Sequence, residues 1–584
     1  MSVERTAHQP VAASGRDADQ VKVEVIRHGL HSAAEQMKRA LIRTAFSPII
    51  YDVLDFAVAI YDRRFRLLSQ APGLPNFLGT MAYCVEGAVE EVGGESALEP
   101  GDVLLYNYPY RTGSHQEDVA VVFPVYLGGD ELIGYTTIKA HWLDIGGKDF
   151  FATDTVHYLQ EGIVFPGVKL YAGGRLSRDL FRMVTANSRV PAAVAGDLHA
   201  EVAGVRTGAA AFLRVVERHG LDVFEEAVQR MFDHGESRIR DFVSSVPDGS
   251  YVARGEMDND GLDDEPIPFE IVVDVAGSDI TVDYSRAPDA RPGPVNSPLP
   301  STISATRVAI SMLASVSDSE GDGHFHEGHF RPIKVVTRPG SLFHPLPPAP
   351  CWLYYPADYQ AIEVIFRALA EALPEVVPAG SGGDVTTLIW WGVREQTGLT
   401  WGDGSGNPIG HGAFHAGDGQ SSLMHYGEAS TRITPVEVWE AKNPWLFERL
   451  ELAADSCGPG KYRGGLGVDM FIHMLEDCWL TCALERTKNA PWGLRGGGEG
   501  RPNGASIRYD DGRREPLAKS TAKKIPKGTT FELLTGGGGG WGAPSARDPA
   551  LVQADVEEGY TTKREARRHY PHAFPRAPDK RRRT

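Results

Sequence analysis

Val119-Ala-Val-Val-Phe-Pro-Val-Tyr-Leu-Gly-Gly-Asp-Glu-Leu-Ile-Gly-Tyr-Thr-Thr-Ile-Lys-Ala140 contains two β-favouring runs, Val119 to Tyr126 and Leu132 to Ala140, joined through Gly128-Gly129. Valine, isoleucine, threonine and tyrosine suit a pleated, half-buried surface, and the spacing predicts neighbouring strands. Gly113-Ser-His115-Gln-Glu-Asp118 leads into the first run, and Lys139-Ala-His141-Trp-Leu-Asp144-Ile-Gly-Gly147 closes the second. Pairing of the runs would bring two histidines and two aspartates together at one end. Further out, Phe56 to Tyr61 and Phe65 to Leu68 read as a hairpin across Asp62-Arg63-Arg64, and Asp102 to Tyr106 reads as one more strand. Ahead of them, Ile26, Leu30, Ala33, Met37 and Leu41 recur at helical spacing within residues 21–46, and Pro48 stands just past the end. The front of the chain is therefore expected to be a helix packed on an antiparallel or mixed sheet.

Leu198, Val202, Val205, Ala209 and Leu213, then Val223 to Met231 after Gly220, carry the periodicity of a helical pair. Phe269 to Val275 and Ile280 to Tyr284 form a hairpin pattern through Gly277, followed by a Pro-rich loop and a helix pattern from Ser301 to Leu313. Beyond about Ala379, dense glycine is interrupted by short apolar runs such as Leu480 to Leu484 and Thr530 to Leu534, which suggests an irregular β-rich region. The expected class is α+β in several units: a disordered arm (1–20), an N-terminal α+β unit (21–190), a helical pair with a second α+β unit (191–378), a Gly-rich β region (379–547) and a helical tail with a basic end (548–584). With 65 glycines and 39 prolines in 584 residues, a helical bundle is disfavoured.

Lys and Arg number 59 against 77 Asp and Glu, a formal charge of −18 that would repel nucleic acid. The basic run Lys580-Arg581-Arg582-Arg583 reads as a solvated end. No signal-peptide pattern opens the chain, and no stretch approaches roughly 18 uninterrupted apolar residues, so a soluble, cytoplasmic protein is expected. Five cysteines, an odd number, make no disulfide framework, and Cys478 and Cys482 lack the second Cys or His pair of a closed zinc site.

The His115, Asp118, His141 and Asp144 cluster admits two readings: hydrogen-bonded loop histidines, or ligands to a divalent ion. Mixed imidazole and carboxylate donors suit Mn, Zn or Fe better than Ca or Mg. His324-Phe-His326-Glu-Gly-His329 looks like a second ligand set but sits in a Gly-rich acidic loop. Glu256, Asp258, Asp260 and Gly261 begin like a calcium loop, yet Ile267 occupies the position where a bidentate Glu is needed. Gly536 to Gly540 has no Lys-Ser or Lys-Thr after it, and no G-x-x-x-x-G-K-[ST] occurs elsewhere, so a structural glycine turn is favoured over a phosphate loop.

Several ordered motifs give the chain a wider likeness. Arg43-Thr-Ala-Phe-Ser-Pro48 with Asp55-Phe56, Gly101-Asp-Val with Asn107-Tyr-Pro-Tyr110, and Gly113-Ser-His-Gln-Glu-Asp118 come first. Ala140-His-Trp-Leu-Asp-Ile-Gly-Gly147, Gln160-Glu-Gly162, Asn187-Ser-Arg-Val-Pro191 and Gly196-Asp197 follow, and Arg463-Gly-Gly-Leu-Gly467, Pro491-Trp-Gly493 and Gly537-Gly-Gly-Gly-Trp-Gly542 end the series. Over residues 21–565 the chain resembles the hydantoinase B/oxoprolinase family. That family includes the B subunits of ATP-dependent hydantoinases and caprolactamase, half of 5-oxoprolinase, and subunits of acetone and acetophenone carboxylases.

The resemblance implies an A-type ATPase partner that binds ATP and Mg, phosphorylates the substrate and passes it to this chain. It implies a metal on His115, Asp118 and His141, with Asp144 as an optional fourth ligand. Glu161 and Asp55 are candidates for moving protons. The first expectation is hydrolysis of a cyclic amide. The alternatives are carboxylation of a ketone, with activated bicarbonate joined to an enol, and a non-catalytic scaffold for the ATPase. Tyr108, Trp142 and Phe77 stand where the family's commoner pattern has Asp, His and His, which suggests a drier pocket suited to a larger lactam or an aryl ketone.

Overall fold

A computed structural model describes residues 15–317 and 324–574; residues 1–14 of the expected arm and the basic run at 580–583 lie outside the described residues. The N-terminal sheet is built from β1 (Phe56–Asp62), β2 (Leu67–Gln70), β3 (Val103–Tyr106), β4 (Asp118–Leu127), β5 (Glu131–His141), β6 (Pro166–Ala172) and β7 (Arg175–Leu176), in the order β2-β1-β5-β4-β3-β6-β7. All its pairings are antiparallel. The β4–β5 hairpin sits near the centre, with Asp118 opposite His141 and Val119 opposite Ala140.

Alternation divides this sheet between two cores. Phe56, Val58, Ile60, Val119, Val121, Ile138 and Ala140 point to one face, against the apolar stripes of the helices Gly15–Thr44 and Pro191–His219. The first helix begins ahead of the apolar stripe because Arg16 to Gln20 contain no helix breaker. On the other face Ala57, Ala59, Tyr61, Val122 and Tyr135 join a larger core shared with a second sheet. That sheet pairs Gly249–Met257, Ile267–Ala276, Asp279–Asp283 and Ile333–Val336 and is flanked by the helices Leu299–Ser317 and Tyr355–Leu369. Among the described residues Leu299–Ser317 is the one helix long and apolar enough to cross a membrane, and it packs in this core.

The C-terminal third holds two more antiparallel sheets, of four and five strands, around Trp390, Trp401, Trp439 and Trp445. The glycine-rich segments form a separate construction, tighter than the turn expected for Gly536–Gly540. Those five residues run through the middle of it, and all five N–H groups are spent: on Asn503 Oδ1 and on the carbonyls of Arg501, Gly465, Gly380 and Gly498. Their own carbonyls accept from Gly410, Gly458, Ala413 and Leu494 among others. A Cβ on Gly538 would meet the His411 carbonyl oxygen at 1.8 Å. As at the crowded axis of a collagen triple helix, only glycine fits.

Candidate metal centre

Three neighbouring strands place the centre. Opposite residues of an antiparallel pair share a face, so the Asp118–His141 pairing turns both side chains toward the larger core. On the other side of β5, the His141 N–H donates to the Asp55 carbonyl at 3.1 Å, putting Asp55 in line at the start of β1. Asp55 is delivered by a wide helical turn, Ile49–Val53, ending in Leu54 at φ 67, the left-handed region that non-glycine residues seldom enter. His115 comes from the turn before β4, closed by Asp118 N–H to the His115 carbonyl at 3.2 Å.

His115 Nε2, His141 Nδ1 and Asp118 Oδ1 form a triangle 3.1 Å on each side. Among the described residues they are the one grouping of three such donors close enough to hold an ion. His115 Nδ1 donates to the Trp352 carbonyl at 2.8 Å, which leaves its Nε2 lone pair facing the triangle. Neighbouring ligands about 2.1 Å from one ion, at right angles, stand about 3.0 Å apart, so the three atoms fit a divalent cation with open positions. Burial alone would push the Asp118 carboxyl up, but the two histidines outweigh it and hold the group well below the usual range.

Trp352 is the brace. Its indole Nε1 donates to Glu117 Oε2 at 2.7 Å and its backbone N–H to Glu161 Oε1 at 3.0 Å. Glu161 also accepts from Cys351 N–H at 2.8 Å and Thr155 Oγ1 at 2.9 Å; burial, only partly offset by these bonds, pushes its carboxyl up to about 8. Glu161 therefore sits behind His115, holding the Cys351–Trp352 backbone, and does not line the pocket. Burial likewise holds Glu117 well above the ordinary carboxyl value. Tyr354, two residues on, donates to Asp118 Oδ2 at 3.3 Å.

In front of the triangle lies a cavity of about 60 Å³ walled by Phe77, Phe151, Val53, Val385 and Ile389, into which Asp55 and Glu428 also face. Asp55 Oδ1 is buried without a hydrogen-bond partner, and burial pushes its carboxyl up to about 7. Glu428 was not among the residues expected from sequence; it ends the short 3-10 helix Tyr426–Glu428, far along the chain from His115, and accepts from the Tyr359 hydroxyl.

Asp144 stands apart from the triangle. Its carboxylate is taken up by the Arg189 guanidinium at 2.5 Å, the Arg189 backbone N–H, Ser188 Oγ and Gly146 N–H. Of the three aromatic departures only Phe77 lines the cavity. Trp142 points to the opposite face and donates to Glu201 Oε1 at 2.5 Å, while Tyr108 packs on Tyr110 and Tyr158. His326 and His329 cap the turn Glu327–Phe330, Cys478 and Cys482 are buried and free, and Asp258 is engaged by Thr487.

The hydantoinase B/oxoprolinase model matches residues 19–544. The chain belongs to the hydantoinase B/oxoprolinase family. Within it, a relative from Methanocaldococcus jannaschii is 31% identical over 94% of this chain and 96% of its own length. The caprolactamase subunit beta of Pseudomonas jessenii is 26% identical over 94% and 96%. The crystal structure of the ATP-dependent caprolactamase of that organism superposes with a TM-score of 0.87 at 25% identity, covering 94% of this chain and 96% of that one. Acetone carboxylase in its nucleotide-free state shares the fold, with a TM-score of 0.85 at 18% identity over 95% of this chain and 80% of that one.

Proposed function

We propose that this family member is the substrate-transforming subunit of an ATP-dependent cyclic-amide hydrolase, acting with an A-type ATPase subunit that binds ATP and Mg. The observation that carries the reading is the buried His115-Asp118-His141 triangle, opening on a small pocket into which Asp55 faces with an unpartnered carboxyl oxygen. Likeness to a caprolactamase over nearly the whole chain supports the substrate class. A separate ATPase is supported by the absence of a Walker loop and by the full use of the Gly536–Gly540 N–H groups within the chain.

A divalent ion on the triangle, with Mn, Zn or Fe suiting the donors, would supply a Lewis acid for the activated carbonyl and for water. The chain's own residues do the rest. His115, fixed by Trp352, and His141, fixed by its strand, would hold that ion beside Asp55. Asp55, with an unpartnered oxygen in the pocket, takes the proton from the attacking water and returns it to the departing ring nitrogen. Phe77 and Phe151 limit the pocket to the water that reacts.

Ketone carboxylation is the second reading, favoured by the apolar wall at Phe77. The two separate on ADP release by the reconstituted complex with lactams, hydantoins and ketones, each with and without bicarbonate. Ring-opened product with bicarbonate-independent ADP release supports the hydrolase. A bicarbonate requirement with a β-keto acid product overturns it.

A further inference from the structure

Beside the metal pocket lies a second, larger cavity of about 740 Å³, and Thr431 lines both. The wall between them is shared by chain neighbours: Leu54 lines the large cavity and Asp55 the small one, and Leu78 and Phe77 divide in the same way. The large cavity is built on one face of the helix Leu299–Ser317, the residues Ser304, Arg307, Val308, Ser311, Met312 and Ser315.

Its polar lining has one sign. Among the described residues Lys38, Arg307 and Arg432 face it and no aspartate or glutamate does, in a chain whose net charge is −18. Neither Arg307 nor Arg432 forms an ion pair among the described residues; Arg307 lies over the Phe330 ring at 4.6 Å. Lys38 Nζ gives one hydrogen bond, to the Pro72 carbonyl at 2.6 Å, leaving two protons to donate. Burial lowers the Lys38 ammonium; Glu35 of the same helix opposes this, and Arg432 and Arg39 lower it further. The hydroxyls of Ser311 and Ser430 are buried at this lining with no partner. The remaining wall is apolar, with Leu54, Leu78, Val308, Met312, Phe325 and Phe330.

We propose that this cavity binds an anion carried on an apolar body, its phosphate or carboxylate held by Lys38, Arg307 and Arg432 and its apolar part lying against the wall of the metal pocket. Two ligands share that chemistry under the proposed function, on which the biological identity of the anion rests: a phosphorylated substrate on its way in, or a ring-opened carboxylate on its way out. The binding site itself stands on the cavity alone.

Calorimetric titration of the full chain with phenyl phosphate, 3-phenylpropionate and neutral benzyl alcohol tests it. Expected are binding of one or both anions at one site per chain and none for the alcohol. Arg307→Met and Arg432→Met each weaken anion binding by roughly tenfold or more, the worth of one charge-assisted hydrogen bond. Arg432 is exposed, so its variant tests the site without disturbing the core. Binding must persist in His115→Ala with its metal lost, which separates this site from the metal centre and its failure from failure of the proposed reaction. Tighter phenyl phosphate assigns the incoming species, and tighter phenylpropionate the outgoing one. Absence of anion binding, equal binding of the alcohol, indifference to both arginine substitutions, or loss of binding in His115→Ala overturns the proposal.

Discussion

The imidazole of His115 is tied through its Nδ1–H to the carbonyl of Trp352, 237 residues further along the chain, by a 2.8 Å bond. Outer partners of this kind tune metal affinity by about 10- to 100-fold. Glu161→Ala, which frees the Cys351 and Trp352 N–H groups, is therefore expected to weaken metal retention roughly tenfold, and Glu161→Gln, which keeps an acceptor, by less. Competition with a chelator, read by metal analysis, measures both. Full metal retention with lost turnover in Glu161→Gln would instead make Glu161 a catalytic residue.

His115→Ala, His141→Ala and Asp118→Ala should each lose bound metal and turnover together. Asp144→Ala should keep the metal. Its cost falls on stability, about 2 to 4 kcal/mol, because the Arg189 guanidinium and the backbone N–H groups of Arg189 and Gly146 lose their acceptor. Metal content and chemical denaturation separate the two classes.

Stability should decline as the solution is made more alkaline. Burial raises Glu161 to about 8 and Asp384 to about 7 in the folded chain, from ordinary values of 4.5 and 3.8. In the window between ordinary and raised values the folded chain holds protons that the unfolded chain has released. Their contribution is complete below about pH 4 and lost as pH rises through 7 and 8. Melting temperature measured from pH 5 to 9 should fall, and Glu161→Gln should fall less steeply.

Gly538→Ala should prevent stable folding, since the added carbon would sit 1.8 Å from a backbone oxygen that cannot swing aside. Soluble yield and thermal denaturation read the result. Gly504→Ala, where the added carbon meets nothing within 4 Å, serves as the tolerant control.

The elements with clear periodicity were legible in the sequence. The β4–β5 hairpin, the helical pair after Pro191 and the hairpin around Gly277 lie within a few residues of their expected bounds. His115, Asp118 and His141 were legible together because one hairpin register joins them. Asp144, though near in sequence, stands apart from them because the chain turns after His141 and hands its carboxylate to Arg189. Trp352, Tyr354 and Glu428 were illegible, since contacts over such separations leave no periodic trace in one sequence. The glycine segments gave their composition but not their packing, because a residue without a side chain carries no pattern of faces.

The glycine construction also bears on how the protein responds to temperature. Exposing apolar surface on unfolding raises heat capacity, whereas exposing peptide groups lowers it. A region held by peptide N–H and carbonyl groups, with almost no side chains at its centre, therefore adds little to the heat-capacity change and flattens the stability curve locally. The tryptophan-lined sheets beside it do the opposite, so on cooling it is the aromatic core that weakens first while the glycine lattice keeps its grip.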